Sequence, residues 1–509
     1  MNDEKVIIKM TLQQYRTLQD YLLKDEKESI CWLLGKSTRD PQRGVRIHFI
    51  HEFYLLDEED YVNRTRTLIR VNSDVKNGVY YDFINSDYDT LINCHSHPFD
   101  HGWNTTFSAT DDRDDRHQLQ WCLDNLPKGK DNVDQNREVF VYSLVMGQYD
   151  LDIRGYRPYN FRDGGRFFPV DEVSLIGYPF TKKIPYSARS RSSHLPERVK
   201  RSLPERLFGP FDRDRTRESE QTELYDRQVR AFGQQTQNEL ARVSVAIVGA
   251  GGIGSILAEQ LLRIGIRKMT IIDDDLIETT NLNRWQYGRP RDVGRAKSRV
   301  LVERLRDMFP DADLKAVEGD VYRNYRDVAL SDWVFSCLDS GPPRAFLNQL
   351  AMQYMLVLID GGTLLHTQPQ PQSEVVLSTI IPGFNACMEC SQVRHYDPAE
   401  VAKAFYSQDV QEQLRAHGYI DDEPEEAAPA VMPINGVIAS LMAHQSLELV
   451  HRQNPFRYFH RMKLEDMNHR KHFLDHINEP EPPQSGCLIC GYYFGQGDDE
   501  DLPVPEMEG

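Results

Sequence analysis

Over roughly the first 180 residues, short apolar runs alternate with polar turns. Residues 30–34, 45–50 and 139–145 are rich in branched and aromatic side chains and predict strands, whereas the spacing over 12–22 predicts a helix. This pattern predicts a compact α+β domain over residues 1–184. From 185 to 222 the periodicity disappears, and Ser, Arg, Pro and Asp dominate around two Pro-Glu-Arg repeats, as in an extended linker. A second domain is expected over 223–495. There, residues 243–248 predict a buried strand ending at Gly249, 255–264 a helix, 269–272 another strand and 296–308 another helix. Strand–helix alternation of this kind predicts a Rossmann-like, doubly wound parallel sheet. Residues 496–509 are acidic and proline-rich and predict a disordered tail.

At 509 residues the chain exceeds what one hydrophobic core supports, so two or three domains are expected. A formal net charge of −18 argues against sequence-independent binding to nucleic acid or to an anionic membrane, since both would be repelled. No apolar run approaches the ~18–20 residues that span a bilayer. The polar start Met1-Asn2-Asp3-Glu4-Lys5 lacks the apolar core of a signal peptide, and a cytoplasmic protein is expected. Of eight cysteines, four form two Cys-x-x-Cys pairs, Cys387/Cys390 and Cys487/Cys490. In a cytosolic chain such pairs read as a metal site before a disulfide, with a redox role as the alternative.

Two stretches carry candidate chemistry. In the first, Asn93-Cys94-His95-Ser96-His97-Pro98 precedes Ser108-Ala109-Thr110-Asp111. Histidines at i and i+2 on a strand project to one face, so both imidazoles reach one ion. A carboxylate from the next element makes three protein ligands and leaves a fourth position open, the coordination of a hydrolytic zinc. His-x-His by itself fits a surface or core pair equally well. Together with the proline and the downstream Ser-x-x-Asp, it resembles the JAMM/MPN-type metalloproteases, which cleave isopeptide or peptide bonds after ubiquitin-like C-termini. Glu28, ahead of an apolar stretch ending in Gly35, is similar to that family's general base. The resemblance covers roughly residues 1–180. It implies that His95, His97 and Asp111 hold a catalytic Zn²⁺, that Glu28 takes the proton from the bound water, and that Ser108 stabilises the oxyanion. Nine residues separate Pro98 from Ser108, more than is usual in the family. That insert contains Asp100, His101 and Trp103, and Asp112, Asp114 and Asp115 stand as substitutes for Asp111.

In the second stretch, Gly249-Ala250-Gly251-Gly252-Ile253-Gly254 follows a predicted strand and opens a helix. Its glycines let backbone approach phosphates, and the helix N-terminus favours their charge. The motif alone fits any dinucleotide enzyme, and Asp273 would bind ribose hydroxyls in either case. Asp275, Asn281, Arg284, Lys297 and Asp339 separate the possibilities. Cations and carboxylates beside a triphosphate serve an adenylating enzyme, whereas hydride transfer has no need of them. With Tyr225-Asp226-Arg227-Gln228, these residues resemble the ubiquitin-activating superfamily, including its ThiF/MoeB-like bacterial members, from about residue 223 to 491.

That resemblance implies ATP bound by the glycines with Asp273 and Asp275, phosphates met by Asn281, Arg284 and Lys297, and Mg²⁺ held by Asp339. It implies that Arg227 reaches the ATP of a neighbouring subunit, and hence a homodimer. It also implies a closed, structural Zn²⁺ on Cys387, Cys390, Cys487 and Cys490. Members of the superfamily usually carry Gln after the motif's arginine; here Trp285 stands there and Gln286 follows. Superfamily members that feed conjugating enzymes normally carry a nucleophilic cysteine after the first Cys-x-x-Cys, and this chain has none between Cys390 and Cys487. The acceptor is then expected from outside, on a conjugating enzyme or a sulfurtransferase.

The expected function is a bifunctional enzyme that hydrolyses bonds after a ubiquitin-like protein's C-terminus and activates that terminus by adenylation. Processing and activation of a sulfur carrier is the alternative. A non-catalytic scaffold binding the ubiquitin-like protein is a third reading, which expects neither zinc at His95/His97 nor ATP turnover.

Overall fold

The computed structural model describes residues 4–99, 105–124, 138–148, 150–157, 166–177, 182–185, 224–366, 372–391, 396–405, 431–450, 458–463, 474–477, 481–484 and 486–502. The stretch expected to be a linker lies outside them from residue 186 to 223, as does most of the insert after Pro98. The chain divides into two compact units. The first takes in Met1–Leu175, Lys182–Asp214 and Gly495–Asp499; the second, Ile176–Thr181, Arg215–Phe494 and Glu500–Gly509.

The first unit begins with β1 (Lys5–Thr11), α1 (Leu12–Leu22), β2 (Ile30–Asp40), β3 (Val45–Leu55), β4 (Tyr61–Arg64) and β5 (Ile69–Val71). It continues with α2 (Ser73–Asn85), β6 (Thr90–Ser96), α3 (Ala109–Asp124), β7 (Phe140–Met146), β8 (Leu151–Arg157), β9 (Arg166–Pro169), β10 (Glu172–Ile176) and β11 (Lys182–Pro185). Nine of these strands form one sheet in the order β11-β10-β1-β3-β2-β6-β7-β8-β9, while β4 and β5 form a separate hairpin. A capping box starts α1: the Gln14 amide donates to Thr11 Oγ1 at 3.0 Å and the Thr11 amide to Gln14 Oε1 at 2.7 Å. Both sheet faces are covered, so β2 is apolar without alternation. Cys31 and Leu33 enter a core with Leu18 and Leu22 of α1, whereas Trp32 and Leu34 enter another with Phe83 of α2 and Leu119 of α3. β2 and β6 are antiparallel neighbours at the middle of the sheet with Ile30 opposite His95, so the residues before β2 meet the end of β6 where these strands end.

The second unit opens with α4 (Asp226–Phe232) and α5 (Gln234–Leu240), then β12 (Ser244–Val248), α6 (Gly252–Ile264), β13 (Lys268–Asp273), α7 (Lys297–Met308) and β14 (Asp313–Glu318). Next come α8 (Val321–Ala329), β15 (Trp333–Ser336), α9 (Gly341–Gln353), β16 (Val357–His366) and β17 (Gln372–Ile380). The described elements end with α10 (Pro398–Phe405), α11 (Met432–Val450), β18 (Phe459–Lys463) and β19 (Leu474–Ile477). The sheet order is β14-β13-β12-β15-β16-β17-β18-β19. Its first five strands are parallel and the remaining pairings antiparallel. This is the expected doubly wound sheet, extended by an antiparallel wing. Among the described residues no helix is long and apolar enough to cross a membrane.

The sequence pattern misjudged the start of the tail. Gly497–Asp499 forms a short 3₁₀ turn, and the Gly495 carbonyl lies 3.0 Å from His51 Nε2 in the first unit. A run of acidic residues reads as solvated tail, but two glycines at φ +67° and +57° fold this one against Phe49 and Thr38. Residues 503–509 lie outside the described part.

Candidate functional site

In the second unit, β12 leads to β13 on one side while β15 lies on the other, so the carboxyl ends of β12 and β15 frame a topological switch point. Open α/β sheets bind ligands in that crevice. The glycine turn occupies it: Gly249 sits at φ +95°, and a Cβ on Gly254 would lie 1.9 Å from the Gly249 carbonyl oxygen. No side chain caps α6, which leaves amides of its first turn available to a ligand. Asp273 ends β13, is buried, and accepts from the amides of Ala250 at 2.6 Å and Asp275 at 3.0 Å. Burial pushes its carboxyl up to about 6, against the opposing field of Lys297. Lys297 opens α7, is buried, and places its ammonium 2.5 Å from the Asp275 carboxylate.

Asn281 is buried in a 3₁₀ turn and accepts from the Glu278 amide at 3.0 Å. Arg284 follows at intermediate exposure and donates to the Thr280 carbonyl at 2.7 Å. Asp339 lies just beyond β15, exposed, on a loop whose Leu338 carbonyl accepts from buried Arg344. Arg344 in turn pairs with Asp360 at 2.5 Å. Cys337 on the same loop is buried, and burial pushes its thiol well above the usual range. Arg227 is exposed on α4.

In the first unit, His95 and His97 come from the end of the central strand β6 and just beyond it, and Asp111 from the first turn of α3. Ser108 precedes that helix; its hydroxyl accepts from the Asp111 amide at 3.2 Å, and Asp111 accepts from the Ser108 amide at 2.5 Å. The two imidazoles meet the same carboxylate, His95 Nε2 at 3.4 Å and His97 Nε2 at 3.5 Å. Bonds of about 2.0–2.1 Å to a tetrahedral zinc set ligand atoms about 3.3–3.4 Å apart, so the trio fits that ion. His95 Nε2 is buried without a hydrogen-bond partner among the described residues, as a nitrogen reserved for a metal would be. Of the acidic residues near α3's start, Asp111 is the one that reaches the histidines; Asp112 and Asp115 pair instead with Arg154. Glu28 is buried just ahead of β2. Burial pushes its carboxyl up to about 7, opposed by the fields of His97 and His95 and assisted by Asp111.

The four Cys-x-x-Cys thiols converge as well. Cys387 Sγ lies 3.8 Å from Cys390 and 3.7 Å from Cys487, and Cys390 lies 3.5 Å from Cys490. Zinc–sulfur bonds of about 2.3 Å place sulfurs about 3.8 Å apart, so these four fit a closed tetrahedral site.

Several residues that hold these sites have no sequence signal. Arg64 of β4 donates to the Glu28 carbonyl at 2.8 Å and to Ser29 Oγ at 2.7 Å, and it pairs with Glu58 and Asp25. Ser96, between the two histidines, accepts from the Ser29 amide at 2.9 Å. Trp285, marked in the sequence only as a departure, donates its indole N–H to the Ala250 carbonyl at 2.6 Å.

Comparison with known proteins bears on the second unit. The SUMO-activating enzyme subunit 2 of Dictyostelium discoideum is 28% identical over 175 residues, covering 34% of this chain and 25% of that protein. The tRNA threonylcarbamoyladenosine dehydratase of Escherichia coli is 33% identical over 137 residues, covering 26% of this chain and 51% of that protein. This chain therefore spans between a quarter and about half of the length of these curated relatives. The structure of E. coli MccB with ATP is similar at a TM-score of 0.41 and 16% identity, covering 68% of this chain and 99% of that one. Residues 225–489, more than half of the chain, match the ThiF family, and the chain belongs to it.

Proposed function

We propose that this chain is an enzyme with two centres that act on the C-terminus of a ubiquitin-like protein. The ThiF-type unit adenylates that terminus, and the first unit is a JAMM-type zinc hydrolase that cleaves bonds formed after it. Membership of the ThiF family, with Asp273 bonded to the Ala250 amide of the glycine turn and Lys297 paired with Asp275 two residues further on, carries the adenylation half. A carboxylate oxygen attacks the α-phosphorus of ATP, the bond to the β-phosphate breaks, and pyrophosphate leaves. Arg284 and Lys297 offset charge on the phosphates, and Lys297 does so by exchanging its partner Asp275 for an oxygen of the nucleotide. Asp339 is the exposed carboxylate suited to Mg²⁺, a hard cation that takes oxygen ligands. Arg227, exposed on α4, is available to a second copy of the chain, and a homodimer is part of the proposal.

The convergence of His95, His97 and Asp111 beside Glu28 carries the hydrolytic half. His95, His97 and Asp111 would hold the zinc, which would supply the Lewis acidity that lets water ionise near neutral pH. Glu28, with its carboxyl raised to about 7, is matched to accepting a proton at neutral pH and returning it to the leaving amine. Ser108 sits at the start of α3 as an oxyanion donor. The four cysteines outside the Cys-x-x-Cys pairs, Cys31, Cys94, Cys122 and Cys337, are all buried. That favours an acceptor supplied from outside, a conjugating enzyme's thiol or a sulfurtransferase's persulfide, and it keeps the sulfur-carrier reading beside conjugation.

The test of the first half is ATP–pyrophosphate exchange with ubiquitin-like proteins ending in glycine, comparing the parent with Asp339→Ala. Exchange that needs the terminal glycine and is lost in the variant supports adenylation; exchange that Asp339→Ala leaves intact refutes this assignment. For the second half, Glu28→Gln should keep zinc and lose cleavage of a ubiquitin-like fusion by at least about 100-fold.

A further inference from the structure

The glycine turn and the Asn281–Arg284 segment are separated by about thirty residues, yet one side chain ties them together. Trp285 is 3% exposed, and its indole N–H donates to the Ala250 carbonyl at 2.6 Å. Its own amide donates to the Asn281 carbonyl at 2.8 Å, and the Arg284 amide donates to the same oxygen at 3.0 Å. Ala250 is thus held from both ends, its amide by Asp273 at 2.6 Å and its carbonyl by Trp285. The ring rests against Gly288, where an added Cβ would lie 2.9 Å from Trp285 Cε3.

We propose that Trp285 is a positioning residue for ATP: it sets the phosphate-binding glycine turn in register with Asn281 and Arg284. This rests on the adenylation reading above, since the two segments it joins are those expected to meet the phosphates. The only polar atom of the indole is already engaged by the Ala250 carbonyl. It acts through the Ala250 carbonyl, whose direction fixes the plane of the peptide between Ala250 and Gly251, and with it the Gly251 amide that follows. A carbonyl left without its donor lets that peptide rotate, and the turn then presents its amides less well to an incoming phosphate. Because the same hydrogen bond exists before and after the chemistry, its loss weakens binding of ATP and transition state alike, which raises KM and spares kcat.

The experiment uses the full chain. Trp285→Phe keeps a ring and removes the donor. Gly288→Ala keeps the indole donor but displaces the ring, since its Cβ would lie 2.9 Å from both Trp285 Cε3 and Leu282 Cδ2. ATP binding is measured by calorimetric titration with Mg²⁺ and no ubiquitin-like protein, and KM and kcat by pyrophosphate exchange. The loss of one hydrogen bond to a neutral acceptor predicts a rise of about 2- to 12-fold in Kd and KM in Trp285→Phe, with kcat within twofold of the parent. Gly288→Ala should move the same two constants in the same direction. Trp285→Phe and Gly288→Ala both with parental Kd would overturn the proposal. So would a fall in kcat at constant KM alongside a lower melting temperature, because that pattern marks a purely structural tryptophan. A parent chain that binds no ATP would overturn the nucleotide site itself, and is told apart from failure of this role because the variants are then not needed to see it.

Discussion

Gly254→Ala offers a sharp test of the nucleotide crevice, because what the added methyl group meets is known. Its Cβ would lie 1.9 Å from the Gly249 carbonyl oxygen and 3.1 Å from the carbonyl carbon. Ordinary contact begins near 3.4 Å, so the separation must grow by roughly 1.5 Å (3.4 − 1.9). No rotamer change relieves this, since both partners are backbone. Gly249 cannot yield freely either: its own Cα faces the Cys337 carbonyl, which a Cβ there would approach to 2.6 Å. Overpacking of this kind costs about 1–3 kcal/mol. At about 2–4 °C per kcal/mol for a unit of this size, the melting temperature should fall by about 2–12 °C. The turn would also open between α6 and β12, and ATP affinity should fall at least tenfold.

Gly251→Ala is the matched control. Nothing lies within 4 Å of a Cβ at that position, and its φ of −72° suits any residue. Its melting temperature should stay within about 1 °C of the parent, while ATP affinity falls severalfold because the methyl group stands where backbone must approach phosphate. Differential scanning fluorimetry and ATP titration on the three proteins decide the matter. If Gly254→Ala melts with the parent and binds ATP equally well, the crevice described here is not the nucleotide site.

Asp273 lies above the ordinary carboxylate range at about 6, so its ionised form costs folding free energy in full above about pH 6, and that cost fades as pH falls from about 6 to about 3.8. Asp273→Asn should therefore gain stability over the parent at pH 7.5 and lose most of that gain by pH 4.5 in urea unfolding; an equal difference at both pH values would refute the assignment. The parent should carry two zinc ions per chain by mass spectrometry under native conditions. His97→Ala should carry one and Cys487→Ser a different one, with a lower melting temperature only for Cys487→Ser, because four-cysteine zinc sites contribute to folding. Arg64→Ala should keep the zinc of the first unit and lose at least tenfold in hydrolysis, because the Glu28 backbone loses its donor; unchanged hydrolysis would count against the role of Arg64.

The parts of this molecule that could be read in the sequence are those whose signal is local. Gly249 to Gly254 read as a turn into a helix because the signal is local: Gly254 packs on the Gly249 carbonyl within the turn, and Gly249 packs on Cys337 just past the neighbouring strand. His95 and His97 read as a pair because strand geometry alone places them on one face. Asp111 was left with three competitors, since sequence spacing does not say which carboxylate of a helix's first turns faces inward. The structure separates them by a distant residue, Arg154 of β8, which takes Asp112 and Asp115. The acidic tail was misread for the same reason: the groups that fold Gly495–Asp499, His51 and Thr38, stand more than 400 residues earlier.

Trp285 marks the limit of pattern reading most clearly. Against the resemblance it registers only as a substitution for glutamine, with no stated consequence. A tryptophan in a polar segment ordinarily reads as a core residue, and this one is buried as such. Its significance lies in the single polar atom of the ring. Burying an indole N–H without an acceptor costs about 1–3 kcal/mol, a cost that this position avoids because an acceptor is held in place. The acceptor is the carbonyl of Ala250, the residue whose amide Asp273 already fixes. A residue so placed makes the glycine turn depend on the chain thirty residues on, which no motif confined to the turn can express.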